Sequence, residues 1–282
     1  MQSKNNLNIN FCMNKITNSI CIMFLSEMED QALILSSKLK LPLFKYDKSN
    51  SSKSDFALLV SERGLEIIHL KDKSPGPISC NFISGPSNHR RLYGGGKSQN
   101  LAKAVGIKSS KKKLYIMDLT AGLGRDGFIL ASLGAKVLML ERNDILAALI
   151  ADGLDRARSA GKSKGKNFQE IFERIKFINE DSINYLNKAN KMIKPDIIYL
   201  DPMFPVREKS SKVKKEMQLL QVLIGSDEDS GALLSLAMER AKYRVVVKRP
   251  IHSKFLSDQQ PSFSLRGKST RFDIYSLKKI SS

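Results

Sequence analysis

The stretch Ile197-Ile198-Tyr199-Leu200-Asp201-Pro202-Met203-Phe204-Pro205 joins an apolar run to an acid followed by two prolines. A short β-branched run closed by such breakers reads as a buried strand that stops at its carboxyl end. In open α/β sheets, ligands sit outside that edge. The edge here offers a carboxylate, a backbone carbonyl made rigid by Pro202, and the ring of Phe204. Together they suit a planar base whose exocyclic amine has to be held and polarised. A plainer reading, a loop whose prolines only end a strand, uses the same residues.

Around this stretch, strand and helix patterns alternate from Leu114 onward, as in a parallel sheet. Strands are expected at Leu114–Leu119, Lys136–Glu141, Ile175–Asn179, Asp196–Leu200 and Tyr243–Lys248, with helices at Arg125–Leu133, Asp144–Ser159, Ser182–Asn187, Val213–Ile224 and Gly231–Lys242. The runs Phe263–Arg266 and Arg271–Leu277 are separated only by Gly267-Lys268-Ser269-Thr270, too short for a helical crossover, so they pair antiparallel. The fold class is therefore α/β: a Rossmann-like doubly wound sheet with a C-terminal antiparallel hairpin. That architecture resembles S-adenosylmethionine-dependent methyltransferases.

Ahead of it, residues 1–18 are polar and Asn-rich and read as a disordered extension, and residues 19–85 as a small N-terminal α/β domain. The latter is expected to hold a strand at Ile20–Leu25, a helix at Asp30–Leu39, strands at Phe56–Val60 and Leu65–Leu70, and a fourth strand near Ile78–Ile83. Residues 86–113 form a basic, Gly-rich connector before the domain at 114–282. Its His89-Arg90-Arg91-Leu92-Tyr93-Gly94-Gly95-Gly96-Lys97 reads either as a hinge or as backbone open to phosphates.

Lys+Arg 47 against Asp+Glu 28 gives a net charge of +19, and 41% hydrophobic residues provide for a core. Such a charge favours a polyanionic partner, most simply nucleic acid, or else a solvated lysine-rich surface. Cys12, Cys21 and Cys80 match no metal spacing, His69, His89 and His252 are isolated, and no metal is expected. The run Ile20–Leu25 is too short for a signal-peptide core or a membrane span, which points to the cytoplasm, away from membranes.

A glycine loop follows the first strand of the larger domain, Asp118-Leu119-Thr120-Ala121-Gly122-Leu123-Gly124-Arg125-Asp126-Gly127. Gly122, Gly124 and Gly127 satisfy GxGxxG, and Glu141 ends the next strand at the distance where an acid meets ribose hydroxyls. A dinucleotide would put its pyrophosphate on the next helix N-terminus, where Asp126 repels it unless Arg125 neutralises the charge. A sulfonium methyl donor has no phosphate, and its zwitterionic amino-acid end suits Arg125, Asp126 and Asp118. Asp181-Ser182, after the third strand, falls where adenine is contacted, and both residues equally suit a helix N-cap. A nicotinamide-dependent oxidoreductase and a catalytically silent RNA-binding module stay open on these residues.

Taken together, the chain resembles the ribosomal RNA small subunit methyltransferase J family. The likeness runs from about Ile20 to Leu277. It is carried by His89-Arg90-Arg91-x-Tyr93-Gly94-Gly95-Gly96, Ala102-Lys103-Ala104-Val105-Gly106, Thr120 through Asp126, Leu140-Glu141-Arg142-Asn143, Tyr199 through Pro205, Lys214-Lys215-Glu216-Met217, Val245 through Pro250, and Arg271-Phe272-Asp273-Ile274-Tyr275. This chain has Met203 where amino methyltransferases of nucleic acids usually have a second proline. The resemblance implies methyl transfer from S-adenosyl-L-methionine to the 2-amino group of a guanine in 16S rRNA of the small ribosomal subunit. It places donor contacts at Arg125-Asp126, Glu141-Arg142, Asp181-Ser182 and Asp201. Asp201 and the Pro202 carbonyl would take the amine hydrogens and Phe204 would stack on the base. Lys209, Lys212, Lys214, Lys215, Lys248 and Arg249 read as phosphate contacts or as a solvated charged face.

Overall fold

The computed structural model describes residues 20–47, 54–72, 76–189, 194–203, 215–225, 227 and 229–280. The chain divides into two compact units, one of residues 1–80 with 205–226 and one of 81–204 with 227–282.

The first unit holds a four-stranded sheet in the order β2-β1-β3-β4. Strand β1 (Ile20–Phe24) is parallel to both β2 (Leu43–Lys45) and β3 (Phe56–Ser61), and β3 is antiparallel to β4 (Gly64–His69). Every residue of β1 is buried, as expected for a central strand. Helix α1 (Glu29–Leu39) links β1 to β2. The expected strand at Ile78–Ile83 reduces to a single bridge between Ile67 and Ile78. Pro77, lacking an N–H, cannot extend that pairing.

The second unit opens with α2 (Gly85–Tyr93) and α3 (Asn100–Val105), so much of the connector is helical. Its sheet runs β10-β11-β9-β8-β5-β6-β7. Strands β5 (Tyr115–Asp118), β6 (Lys136–Glu141), β7 (Ile175–Asn179), β8 (Ile197–Leu200) and β9 (Arg244–Pro250) are parallel, and β10 (Phe263–Arg266) and β11 (Thr270–Ser276) close the edge antiparallel. The chain leaves β5 towards β6 on one side and later returns to β8 on the other. The gap between the carboxyl ends of β5 and β8 is thus a topological switch point.

Helices α4 (Arg125–Ser132), α5 (Asp144–Lys164), α6 (Lys166–Glu173), α7 (Ser182–Lys188) and α9 (Ser230–Arg240) belong to this unit, and α8 (Lys215–Ile224) to the first. Helix α5 runs a turn beyond the expected Ser159, with Gly161 buried against Gln169 of α6. Met117, Leu138, Ile198, Leu200, Leu234 and Val247 form part of one buried cluster that fixes the strands to each other. Among the described residues no helix is long and apolar enough to cross a membrane.

Candidate active site

Asp201 follows directly on β8, and Leu200 pairs with Val247 of β9, so Asp201 and Lys248 come next on adjacent strands. The Lys248 ammonium lies 2.7 Å from Asp201 Oδ2 and 2.9 Å from Asp126 Oδ2. Arg90 of α2 closes the far side of Asp126, with Nη1 2.5 Å from Oδ1, and the Tyr199 hydroxyl donates to Oδ2 at 2.6 Å. Burial alone would push the Asp126 carboxyl up, but Lys248 and Arg90 outweigh it and hold it well below the usual carboxylate range. Burial and the neighbouring acids raise Tyr199, which stays a neutral donor. Asp201 is nudged up by burial and by Asp126, against Lys248. Its side chain is still 37% exposed, and direct contact with the ammonium favours the ionised form at neutral pH.

The backbone of this edge is fixed at two points. Asp201 N–H donates to Thr120 Oγ1 at 2.6 Å, and Met203 N–H donates to Asp227 Oδ2 at 2.6 Å. Asp227 N–H in turn donates to the Met203 carbonyl at 3.0 Å. The Pro202 carbonyl is therefore presented by a segment tied at both ends. Phe204 lies outside the described residues, as do Lys209, Lys212, Lys214 and the side chain of Lys215.

Across the switch point, Gly122 and Gly124 turn the loop with φ of 58° and 69°, and a Cβ on Gly122 would meet nothing within 4 Å. Glu141, at the end of β6, accepts Gly122 N–H on Oε2 and Asn143 N–H on Oε1, both at 2.8 Å. Each oxygen keeps a second lone pair for a hydroxyl donor. Burial pushes Glu141 up to about 7, moderated by those two backbone hydrogen bonds. An open glycine backbone beside a carboxylate fits a sulfonium donor that carries both ribose hydroxyls and an amino-acid end.

The other expected donor contacts are placed as follows. Asp118 is buried beneath the loop, accepting Thr120 N–H at 3.2 Å, and burial with the adjacent Asp126 raises its pKa. Arg125 opens α4 and is half-buried. Ser182 donates to the Leu119 carbonyl at 2.7 Å, and Asp181 caps α7 by accepting Asn184 N–H. Arg142 reaches Asp227 at 2.5 Å and Asp229 at 2.7 Å, with Asp181 at 3.7 Å.

Three expectations need correcting. Asp126 is neutralised by Lys248 and Arg90, so its charge no longer argues against a dinucleotide. Lys248 is committed to two acids, and Arg249 is buried with its guanidinium on the Lys254 carbonyl, so neither is laid out to hold a backbone phosphate. Arg90, which the resemblance put in a functional segment without assigning it a role, joins the site here, and Tyr199, Thr120 and Asp227 join it without having been singled out. Only the adjacency of the β8 and β9 ends could have disclosed Lys248, and only tertiary packing the rest.

The comparisons with known proteins decide between the two cofactors. A family model described as "Putative SAM-dependent methyltransferase" matches residues 41–277. The chain is 41% identical over 263 residues to a ribosomal RNA small subunit methyltransferase J of Cellvibrio japonicus, covering 93% of this chain and 98% of that one. It is 45% identical over 249 residues to the protein of that name in Coxiella burnetii, covering 88% and 92%. A crystal structure of a SAM-dependent methyltransferase from Neisseria gonorrhoeae superposes with a TM-score of 0.66 at 32% identity, covering 90% of this chain and 95% of that one. With an Asp-Pro edge facing a glycine loop across the switch point, the chain belongs to the ribosomal RNA small subunit methyltransferase J family of S-adenosyl-L-methionine-dependent methyltransferases.

Proposed function

We propose that this methyltransferase modifies the exocyclic 2-amino group of a guanine in 16S rRNA of the small ribosomal subunit, in the cytoplasm. The observation that carries this is Asp201, ionised by Lys248 and set beside the Pro202 carbonyl on a segment tied at Thr120 and Asp227. Two hydrogen-bond acceptors side by side match the two hydrogens of an aromatic amine.

That amine is a poor nucleophile because its lone pair is delocalised into the ring. Asp201 Oδ and the Pro202 carbonyl draw its hydrogens, which pulls the nitrogen towards tetrahedral geometry and turns its lone pair outward. Bound S-adenosyl-L-methionine supplies an electrophilic methyl carbon on a positively charged sulfur. Glu141 would hold the ribose hydroxyls, the Gly122–Gly124 backbone would flank the amino-acid end, and Asp181 would lie towards adenine. Asp201, already an acceptor, takes the proton that the methylated nitrogen releases. Orientation supplies much of the acceleration. A guanine paired in a helix cannot reach such an edge, so the nucleotide is unpaired or flipped out, with Phe204 stacking on it.

Asp201→Ala with labelled donor and unmodified 16S rRNA tests the assignment. Transfer is expected to fall about 10²- to 10⁴-fold with thermal stability retained; near-normal turnover contradicts it.

A further inference from the structure

The segment His89-Arg90-Arg91-Leu92-Tyr93-Gly94-Gly95-Gly96-Lys97 directs its side chains two ways. Arg90 reaches Asp126, and the Arg91 guanidinium lies over the Phe168 ring, 5.5 Å from its centroid. Leu92 and Tyr93 face water, 52% and 72% exposed. His89 is exposed too and packs its ring against Tyr93, with centroids 4.9 Å apart. On a helix, residues three apart are neighbours, roughly 5–6 Å between Cβ atoms. Tyr93 therefore stands beside Arg90, whose guanidinium reaches Asp126 in the acid cluster that contains Asp201.

The glycines explain the geometry. A Cβ on Gly94 would collide with the Arg90 carbonyl oxygen, and Gly95 and Gly96 hold φ of 85° and 53°. The chain turns sharply after Tyr93, and the exposed Lys97 lies in the short 3₁₀ turn Gly96–Ser98 just beyond it. A single exposed apolar residue is ordinary. A paired His and Tyr on the helix that sends Arg90 to the catalytic cluster, with a cation just past them on a chain of net charge +19, suit a polyanion that carries flat rings.

We propose that Tyr93, backed by His89 and flanked by Lys97, is a stacking platform for an unpaired RNA base neighbouring the nucleotide held at Asp201. The proposal rests on the rRNA reading of the site. Stacking on tyrosine tolerates any base, since every base has a π-face, and Lys97 meets the adjoining phosphate.

The test uses the full-length chain and an unmodified 16S rRNA transcript, with RNA affinity by filter binding, donor affinity by calorimetry, and methyl transfer in parallel. Tyr93→Ala is expected to weaken RNA binding about 5- to 150-fold and Tyr93→Phe less than about 2-fold, with donor affinity and melting temperature unchanged. RNA affinity and methylation equal to wild type in Tyr93→Ala overturn the platform and leave the rRNA reading standing. A defect confined to assembled subunits, with naked RNA bound normally, also overturns it, because the face then meets ribosomal protein. A wild-type chain that neither binds nor methylates the RNA overturns both.

Discussion

Lys248 Nζ lies within 2.9 Å of two carboxylates, Asp201 and Asp126, that would otherwise repel each other across a half-buried pocket. Its own pKa is raised: burial opposes the charge, but the two acids outweigh that. Removing the ammonium leaves Asp201 without its counter-charge, so the carboxyl binds protons more readily. Lys248→Met is accordingly expected to move the acid limb of the kcat profile to higher pH. An unmoved limb would mean that Lys248 is structural only. Glu141 gives a second pH signature. With its pKa pushed up to about 7, it must shed its proton before both oxygens serve as full acceptors. Donor affinity is expected to rise from about pH 6 to about pH 8 and to lose that dependence in Glu141→Gln; a parallel slope in the variant would contradict the ribose assignment. The raised value also means that the protein without donor loses some stability as pH climbs through about 7, since folding then buries a charge. Asp201, Glu141 and the glycine loop were readable because each sits at a strand end with its chemistry local in sequence. Lys248 and Arg90 were not, because their partners lie 122 and 36 residues from them at Asp126.

The hairpin β10–β11 shows what an element can conceal. Its antiparallel pairing, Phe263 with Ile274 through Arg266 with Arg271, followed from a linker too short to cross over. Its internal ion pair did not. Arg271 Nε lies 2.9 Å from Asp273 Oδ1, with the side chains 7% and 0% exposed, and Arg271 Nη1 donates to the Ile251 and Ser253 carbonyls. Asp273→Ala would strand a buried guanidinium and is expected to cost about 3–5 kcal/mol in denaturant unfolding. Replacing both residues with apolar ones should cost far less, and equal losses would contradict the ion-pair account. Elsewhere, β6 and β7 matched their expected bounds, β6 as an apolar run entered just after Gly134 and β7 as Ile175, Phe177 and Ile178 set between Arg174 and Glu180. Strand β2 escaped notice with three residues, two of them exposed. Helix α2 was hidden by its glycines and cations, although its Gly-Pro start is a fair helix opening. Helix α6 was hidden in a Lys/Gly-rich stretch, yet Phe168, Ile171 and Phe172 bury one face of it at helical spacing.

Across the molecule, a net charge of +19 predicts that RNA association is strongly screened by salt. The logarithm of the binding constant should fall with the logarithm of salt concentration by about 0.7 for each phosphate contact to a single strand. Lys97→Ala should lower that slope by about one contact, and Lys248→Met should leave it alone. A slope change in Lys248→Met instead would place that residue on phosphate after all. The nature of the reaction is settled by supplying labelled S-adenosyl-L-methionine with unmodified small-subunit RNA or particles and identifying the labelled nucleoside by mass spectrometry. Label on the exocyclic nitrogen of a guanosine, absent with Asp201→Ala, is the predicted result. Label on adenosine or cytidine, or none in the RNA at all, would contradict it.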